Sequence, residues 1–188
     1  MQIDMSQLRK GAKVVIDGAP CTITECQFVK PGKGTALYKC KVRNMITGSL
    51  YAQTWRSGDK LEKADLEERK MQYLYSDGDG FTFMNNETYD QITLSREQVD
   101  DAIPFMYENI EVSMLFFNNN PIGLTLPNFV ELQIVESAPG AKGDTATNAT
   151  KSAKLSTGHL VQVPLFVDEG EWVRVDTRTG EYSERVKR

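Results

Sequence analysis

Short runs of alternating apolar and polar residues, each closed by a glycine-containing turn, leave this chain little room to be anything but β-structure. Lys13-Val14-Val15-Ile16 runs into the turn signal Asp17-Gly18 and is answered by Cys21-Thr22-Ile23-Thr24. Leu37-Tyr38-Lys39-Cys40-Lys41-Val42 alternates apolar and basic side chains, so a strand there packs one face and turns Lys39, Lys41 and Arg43 to the other. Thr47-Gly48, Ser57-Gly58-Asp59, Asp77-Gly78-Asp79-Gly80 and Thr179-Gly180 punctuate further strands. Turn signals at roughly 8–12-residue spacing predict an all-β chain of sandwiches or barrels. One helix interrupts the pattern. Ser95-Arg96-Glu97-Gln98 fits a capping box, with Ser95 as N-cap and Gln98 three residues on, and Pro104 ends the run.

The 188 residues divide softly. A charge shift near Lys63-Ala64-Asp65 and a change of pattern near Leu126-Pro127-Asn128 predict units of 1–64, 65–126 and 127–188. Each is small for an independent core, so the three are expected to lean on one another. The net charge of −4 hides an asymmetry. Residues 1–64 carry eleven Lys and Arg against five Asp and Glu, whereas residues 65–126 carry three against twelve. A basic first third beside an acidic second third can bring one end of a protein to a polyanion while holding the rest away, although solvated faces of unequal charge account for it equally well. Pro139 to Thr157, rich in Gly, Ala, Ser and Thr, reads as a surface loop.

Composition excludes several classes. At 40% hydrophobic and 26% charged, this is a globular rather than a disordered chain. It has no apolar run near the roughly 18 residues that span a bilayer and no signal-peptide core at its start, so a cytoplasmic protein with no membrane role is expected. Cys21, Cys26 and Cys40 lack C-x-x-C spacing and read as small buried side chains. With His159 as the lone histidine, a zinc site or a Ser-His pair is not expected. Asp77, Asp79 and Glu87 could be imagined as a catalytic carboxylate set, but turn chemistry explains the first two better. Neither metal nor cofactor is called for, and the chain does not read as an enzyme.

The most pointed local feature is Phe28-Val29-Lys30-Pro31-Gly32-Lys33-Gly34. Pro31-Gly32 sets a turn between strand-like flanks, and Lys33 stands between glycines that have no side chain and permit positive φ. A phosphate-binding Gly-Lys loop would need Walker spacing and a Ser/Thr, both absent. Residue chemistry alone leaves two readings open, a plain hairpin tip or a lysine presented to a crowded partner.

A resemblance separates them. The Lys30-Pro31-Gly32-Lys33-Gly34 loop is similar to the loop that carries the modified lysine in the bacterial elongation factor P family. Tyr73-Leu74-Tyr75-Ser76-Asp77-Gly78, followed by Phe83-Met84-Asn85-Asn86-Glu87-Thr88-Tyr89, resembles the family's second-domain signature. Pro127-Asn128-Phe129-Val130-Glu131-Leu132, Ala138 to Thr145, Leu155-Ser156-Thr157-Gly158 and Val175 to Val186 resemble its third.

The resemblance implies three small β-barrel domains, one SH3-like and two OB-like, in an L-shaped arrangement that mimics tRNA. It further implies a translation factor that binds the 70S ribosome between the P and E sites and promotes peptide-bond formation at stalled proline runs. Lys33 would reach the CCA end of the P-site peptidyl-tRNA, extended by a separate lysine-modifying enzyme. Lys39, Lys41 and Arg43 would face the tRNA, Gly143, Asp144 and Thr145 the E-site codon of the mRNA, and Tyr182 and Arg185 the small-subunit side. A monomer is expected. The alternatives are an elongation factor P-like paralogue or a generic OB-type single-stranded nucleic-acid binder, for which Phe28, Tyr38 and Trp55 are the candidate stacking residues, although core or strand packing explains each of them better.

Overall fold

The computed structural model describes residues 1–139 and 149–188. Three antiparallel sheets account for almost all regular structure. The first contains β1 (Gln2–Asp4), β2 (Lys13–Ile16), β3 (Ala19–Val29), β4 (Leu37–Asn44), β5 (Leu50–Arg56) and β6 (Lys60–Lys63), in the order β1-β6-β2-β3-β4-β5. The second contains β7 (Leu66–Asp77), β8 (Gly80–Asn85), β9 (Gln91–Ser95), β10 (Glu111–Phe117) and β11 (Asn120–Thr125), in the order β11-β10-β7-β8-β9. The third contains β12 (Phe129–Ser137), β13 (Thr150–Leu155), β14 (Leu160–Pro164), β15 (Trp172–Asp176) and β16 (Glu181–Val186), in the order β14-β13-β12-β15-β16. The all-β expectation holds.

Each sheet carries a register shift with one extra residue on one strand. Thr24 is extra on β3, Leu74 on β7, Val135 on β12 and Ser183 on β16. Such bulges bend a strand and increase its twist, which lets a narrow sheet curl around its own side chains. Burial follows the pleat. In β13 the pattern puts Lys151, Ala153 and Leu155 inside, and in β15 it does the same for Val173 and Val175.

By compactness the described residues form two units, one of Met1–Glu68 with Leu115–Gly123 and one of Arg69–Met114 with Leu124–Arg188. The first is centred on Met5, Leu8, Val14, Ile23, Val42 and Trp55. In the second, Phe83, Met71 and Met114 are enclosed, as are Leu132, Ile134 and Leu155. Here the histidine finds its place. The His159 ring packs on Phe105 at 5.1 Å, and its Nε2 lies 3.1 Å from the Gly180 carbonyl, which accepts its hydrogen. The Thr157 hydroxyl donates to the carbonyl of Pro104.

The helix is short. It covers Arg96–Val99 only, and its capping box is present, with the Ser95 N–H donating to Gln98 Oε1 at 3.0 Å. Pro104 lies in a separate 3-10 turn, Ile103–Phe105, rather than ending the same helix. A second capping box, Asp4 with Gln7, starts a 3-10 turn at Met5–Gln7 that buries Met5.

An ion cluster ties β12, β15 and the C-terminus together. Glu131 stands opposite Arg174 in register and takes hydrogen bonds from Arg188 at 3.2 Å and Arg174 at 3.3 Å. Arg174 also pairs with Glu184, and Arg188 lies over the Trp172 ring, 3.9 Å from its centroid. The guanidinium of Arg188, then that of Arg174, holds the Glu131 carboxyl below its usual range. The folded form therefore binds this proton more weakly than the unfolded chain. Its stabilising contribution is present above the ordinary carboxylate range and is lost as pH falls into and below it. Glu131→Gln is expected to lower the melting temperature at neutral pH. The gap to wild type should close as pH falls through roughly 4, which thermal melts across a pH series will check.

Candidate functional site

The site is built on the β3–β4 hairpin. These strands pair from Cys21↔Asn44 to Val29↔Leu37, with the shift at Thr24, whose hydroxyl donates to the Lys41 carbonyl at 3.1 Å. The extra residue changes parity. Cys21 and Ile23 point into the core before it, and Cys26 shares the face of Cys40 after it. Beyond the Cys26↔Cys40 pair no residue on either strand is fully buried. Half-buried Tyr38 still packs on the core, and the hairpin runs on past it.

Residues 30–36 connect the strands. The Ala36 carbonyl accepts a hydrogen bond from the Ser57 N–H at 2.9 Å, which anchors the exit. Pro31 is half-buried, while Gly32, Lys33 and Gly34 are exposed. Gly34 takes φ +108°, a conformation that side chains rarely adopt. Gly32 does not use that region, so only one of the two flanking glycines is required by backbone geometry. A Cβ at either would meet nothing within 4 Å, so both stand in open space. Among the described residues no hydrogen bond or ion pair holds the side chain of Lys30 or Lys33.

Lys39, Lys41 and Arg43 are exposed on the same face of β4. They are not equivalent. Lys41 pairs with Glu25 at 3.0 Å, while Lys39 stands opposite Gln27 and Arg43 opposite Thr22, which also takes a hydrogen bond from Lys13 at 3.1 Å. The charge carried outward rests mainly on Lys39 and Arg43. On the other face, Phe28 is 55% exposed, and its ring meets that of Tyr38 at 5.0 Å, one pair below the end of the strands. Trp55 is 8% exposed and belongs to the core, so it is no stacking platform.

The remaining sequence candidates fall elsewhere. Tyr182 and Arg185 both lie on β16. Burial raises the Tyr182 phenol, an effect opposed by the nearby Arg185 charge. Arg185 is engaged, bonding Glu171 at 3.2 Å and lying over the Phe166 ring at 5.1 Å. Gly143, Asp144 and Thr145 lie outside the described residues. Asp77 and Asp79 sit at the β7–β8 turn, where Gly78 has φ +61° and Asp79 pairs with Arg96 at 3.5 Å; Glu87 is on the next turn, its N–H donating to Asn85 Oδ1. Among the described residues no group of three or more His, Cys, Asp or Glu side chains is placed to hold a metal ion.

Phe28 and Tyr38 stand out singly in the sequence, but their pairing does not. The signal was their equal distance from the loop, Phe28 two residues before Lys30 and Tyr38 two after Ala36. The Glu25–Lys41 pair could not be found without knowing of the extra residue at Thr24.

Comparison with known proteins covers nearly the whole chain. Family models match in three consecutive stretches, described as the elongation factor P KOW-like domain (residues 4–61), its OB domain (66–124) and its C-terminal domain (130–185). Elongation factor P of Desulforapulum autotrophicum is 58% identical over 97% of this chain and 98% of its own length. That of Desulfatibacillum aliphaticivorans is 53% identical over 99% and 100%. Among solved structures, eukaryotic translation initiation factor 5A from Methanococcus jannaschii superposes with a TM-score of 0.58 at 25% identity, over 67% of this chain and 92% of that one.

The open space at both glycines separates backbone from steric demands. Gly34→Ala is expected to cost about 1–3 kcal/mol of local strain and to move the amide resonances of residues 30–36. Gly32→Ala should stay within about 0.5 kcal/mol of wild type and leave those resonances in place. Denaturant titration and NMR of the two variants will check this.

Proposed function

Because the chain belongs to the elongation factor P family, we propose that it works on the ribosome, between the P and E sites, and speeds peptide-bond formation at stalled proline runs. It does so by positioning the P-site peptidyl-tRNA through Lys33 and not by bond chemistry of its own. The observation that carries this reading is the lysine held on an exposed loop with open space beside both flanking glycines, at the end of a hairpin that has left its core. A side chain in that setting can enter a narrow, RNA-lined cavity without its own protein blocking the way. Proline is a poor and geometrically restricted nucleophile, and holding two reactants in attack geometry can remove several kcal/mol from a barrier. A lysine amine contributes as a compact cation with rotatable donors for ribose and phosphate oxygens.

The rest of the first sheet supports the same reading. Lys39 and Arg43, with Lys41 in part offset by Glu25, form a basic face suited to an acceptor stem. The exposed ring of Phe28 offers an apolar surface next to the loop. In this proposal a separate enzyme extends Lys33, and exposure of the loop gives it access. Gly143, Asp144 and Thr145 meet the E-site codon. Tyr182 and Arg185 face the small subunit. Domains run 1–64, 65–126 and 127–188, a division supported by the three sheets and by the three family matches. The factor acts as a cytoplasmic monomer, and no helix of the described residues is long and apolar enough to cross a membrane.

Lys33→Ala is expected to keep the melting temperature of wild type, because the side chain has no partner to lose. Synthesis through a proline run, in cells lacking their own factor, should slow by about tenfold or more, equivalent to about 1.4 kcal/mol or more of barrier. Lys33→Arg keeps the charge but removes the amine that an extension would acylate. Rescue at wild-type level by Lys33→Ala would end this reading.

A further inference from the structure

Two of the three cysteines are brought face to face by the fold. Cys26 on β3 and Cys40 on β4 are register partners, so their side chains leave the sheet on the same face. Directly opposed residues of antiparallel strands have Cα atoms about 4.5–5.5 Å apart, inside the roughly 4.4–6.8 Å that a disulfide spans. Both thiols are free. Cys40 is buried at 3% exposure, and Cys26 is half-buried at the edge of the same core. Burial first, and then the Cys26 thiol hydrogen-bonded to it, push the Cys40 thiol up to about 12. Cys21 is engaged elsewhere, with its Sγ 3.6 Å from the Ala19 carbonyl and 3.8 Å from the Tyr51 hydroxyl.

We propose that Cys26 and Cys40 form an oxidisable dithiol site that takes a low-molecular-weight disulfide as its co-reactant and closes to a cross-strand disulfide at the root of the Lys33 hairpin. The half-buried thiol reacts first. The Cys26 thiolate attacks one sulfur of the small disulfide, that S–S bond breaks, and the departing thiolate takes up the proton Cys26 gave away. Cys40 then loses its proton and attacks Cys26 Sγ, forming the protein disulfide. The second small thiolate leaves and is protonated in turn. The two protein thiols are oxidised, one small disulfide is reduced to two thiols, and no other oxidant takes part.

Closure has a mechanical meaning. The pair sits at the edge of the core, with only Gln27↔Lys39, Phe28↔Tyr38 and Val29↔Leu37 between it and the loop. A covalent tie there joins the two strands at the edge of the core, without altering their register. Burial of Cys40 keeps its thiol largely protonated, so closure should be faster at higher pH. The chemistry does not depend on what Lys33 does.

The test uses the full chain with oxidised glutathione, followed by alkylation and peptide mapping of the folded protein. The expected product is lighter by two hydrogens, joins the Cys26 and Cys40 peptides, and leaves Cys21 alkylated. A glutathione adduct on Cys26 should precede it. Cys40→Ala should stop at that adduct and Cys26→Ser should leave Cys40 reduced, while the wild-type map decides the matter even if either variant folds poorly. Wild type that stops at a persistent adduct, pairs through Cys21, or keeps both thiols reduced while a free-thiol peptide reacts would overturn the proposal.

Discussion

Pairing of β3 with β4 through the extra residue at Thr24 decides what this chain presents to its surroundings. Every residue beyond the bulge takes its face from it. A side-chain period of two means that one inserted residue exchanges inside for outside along the remainder of the strand. Cys26 and Phe28 are thereby aligned with Cys40 and Tyr38, and Glu25 and Gln27 with Lys41 and Lys39. The Glu25–Lys41 pair and the contact of the Phe28 ring with Tyr38 both follow from that single shift.

This is also where sequence reading stopped. Alternation and turn residues sufficed for the strands, the Ser95–Gln98 box for the helix, and the Pro-Gly-Lys-Gly string for an exposed loop, because each is a local signal whose physics acts within a few residues. Family resemblance rested on blocks of this kind spread over the chain. Parity across Thr24 was not local. Continuing the Cys21, Ile23 alternation without interruption places residues 25, 27 and 29 inward, the opposite of what is found. Thr24 has no distinguishing chemistry as a bulge residue; the requirement comes from β4, whose inward residues Cys40 and Val42 need partners on one face.

Charge shows the same limit. Counting residues identified the first third as basic, yet a count treats Lys41 and Lys39 alike. In three dimensions Glu25 offsets one and leaves the other open. Both pair members are mostly exposed, so their contact adds little to stability. What it alters is the distribution of field on the face, since a local dipole replaces one of the positive charges. Trp55 illustrates the converse, an aromatic that could stack on bases by its chemistry but is seated in the core beside Tyr38.

The junction of His159 with Phe105 and Gly180 has a consequence for how the second unit responds to load. Its ring is gripped from one side by an aromatic of the 3-10 turn and from another by a backbone carbonyl of the β15–β16 turn, while Thr157 clasps the carbonyl of Pro104. The last hairpin is thus joined by bonded contacts to the segment that follows the helix. Sheets joined in this way yield together. Loosening either side of that junction would therefore release a partner on the other.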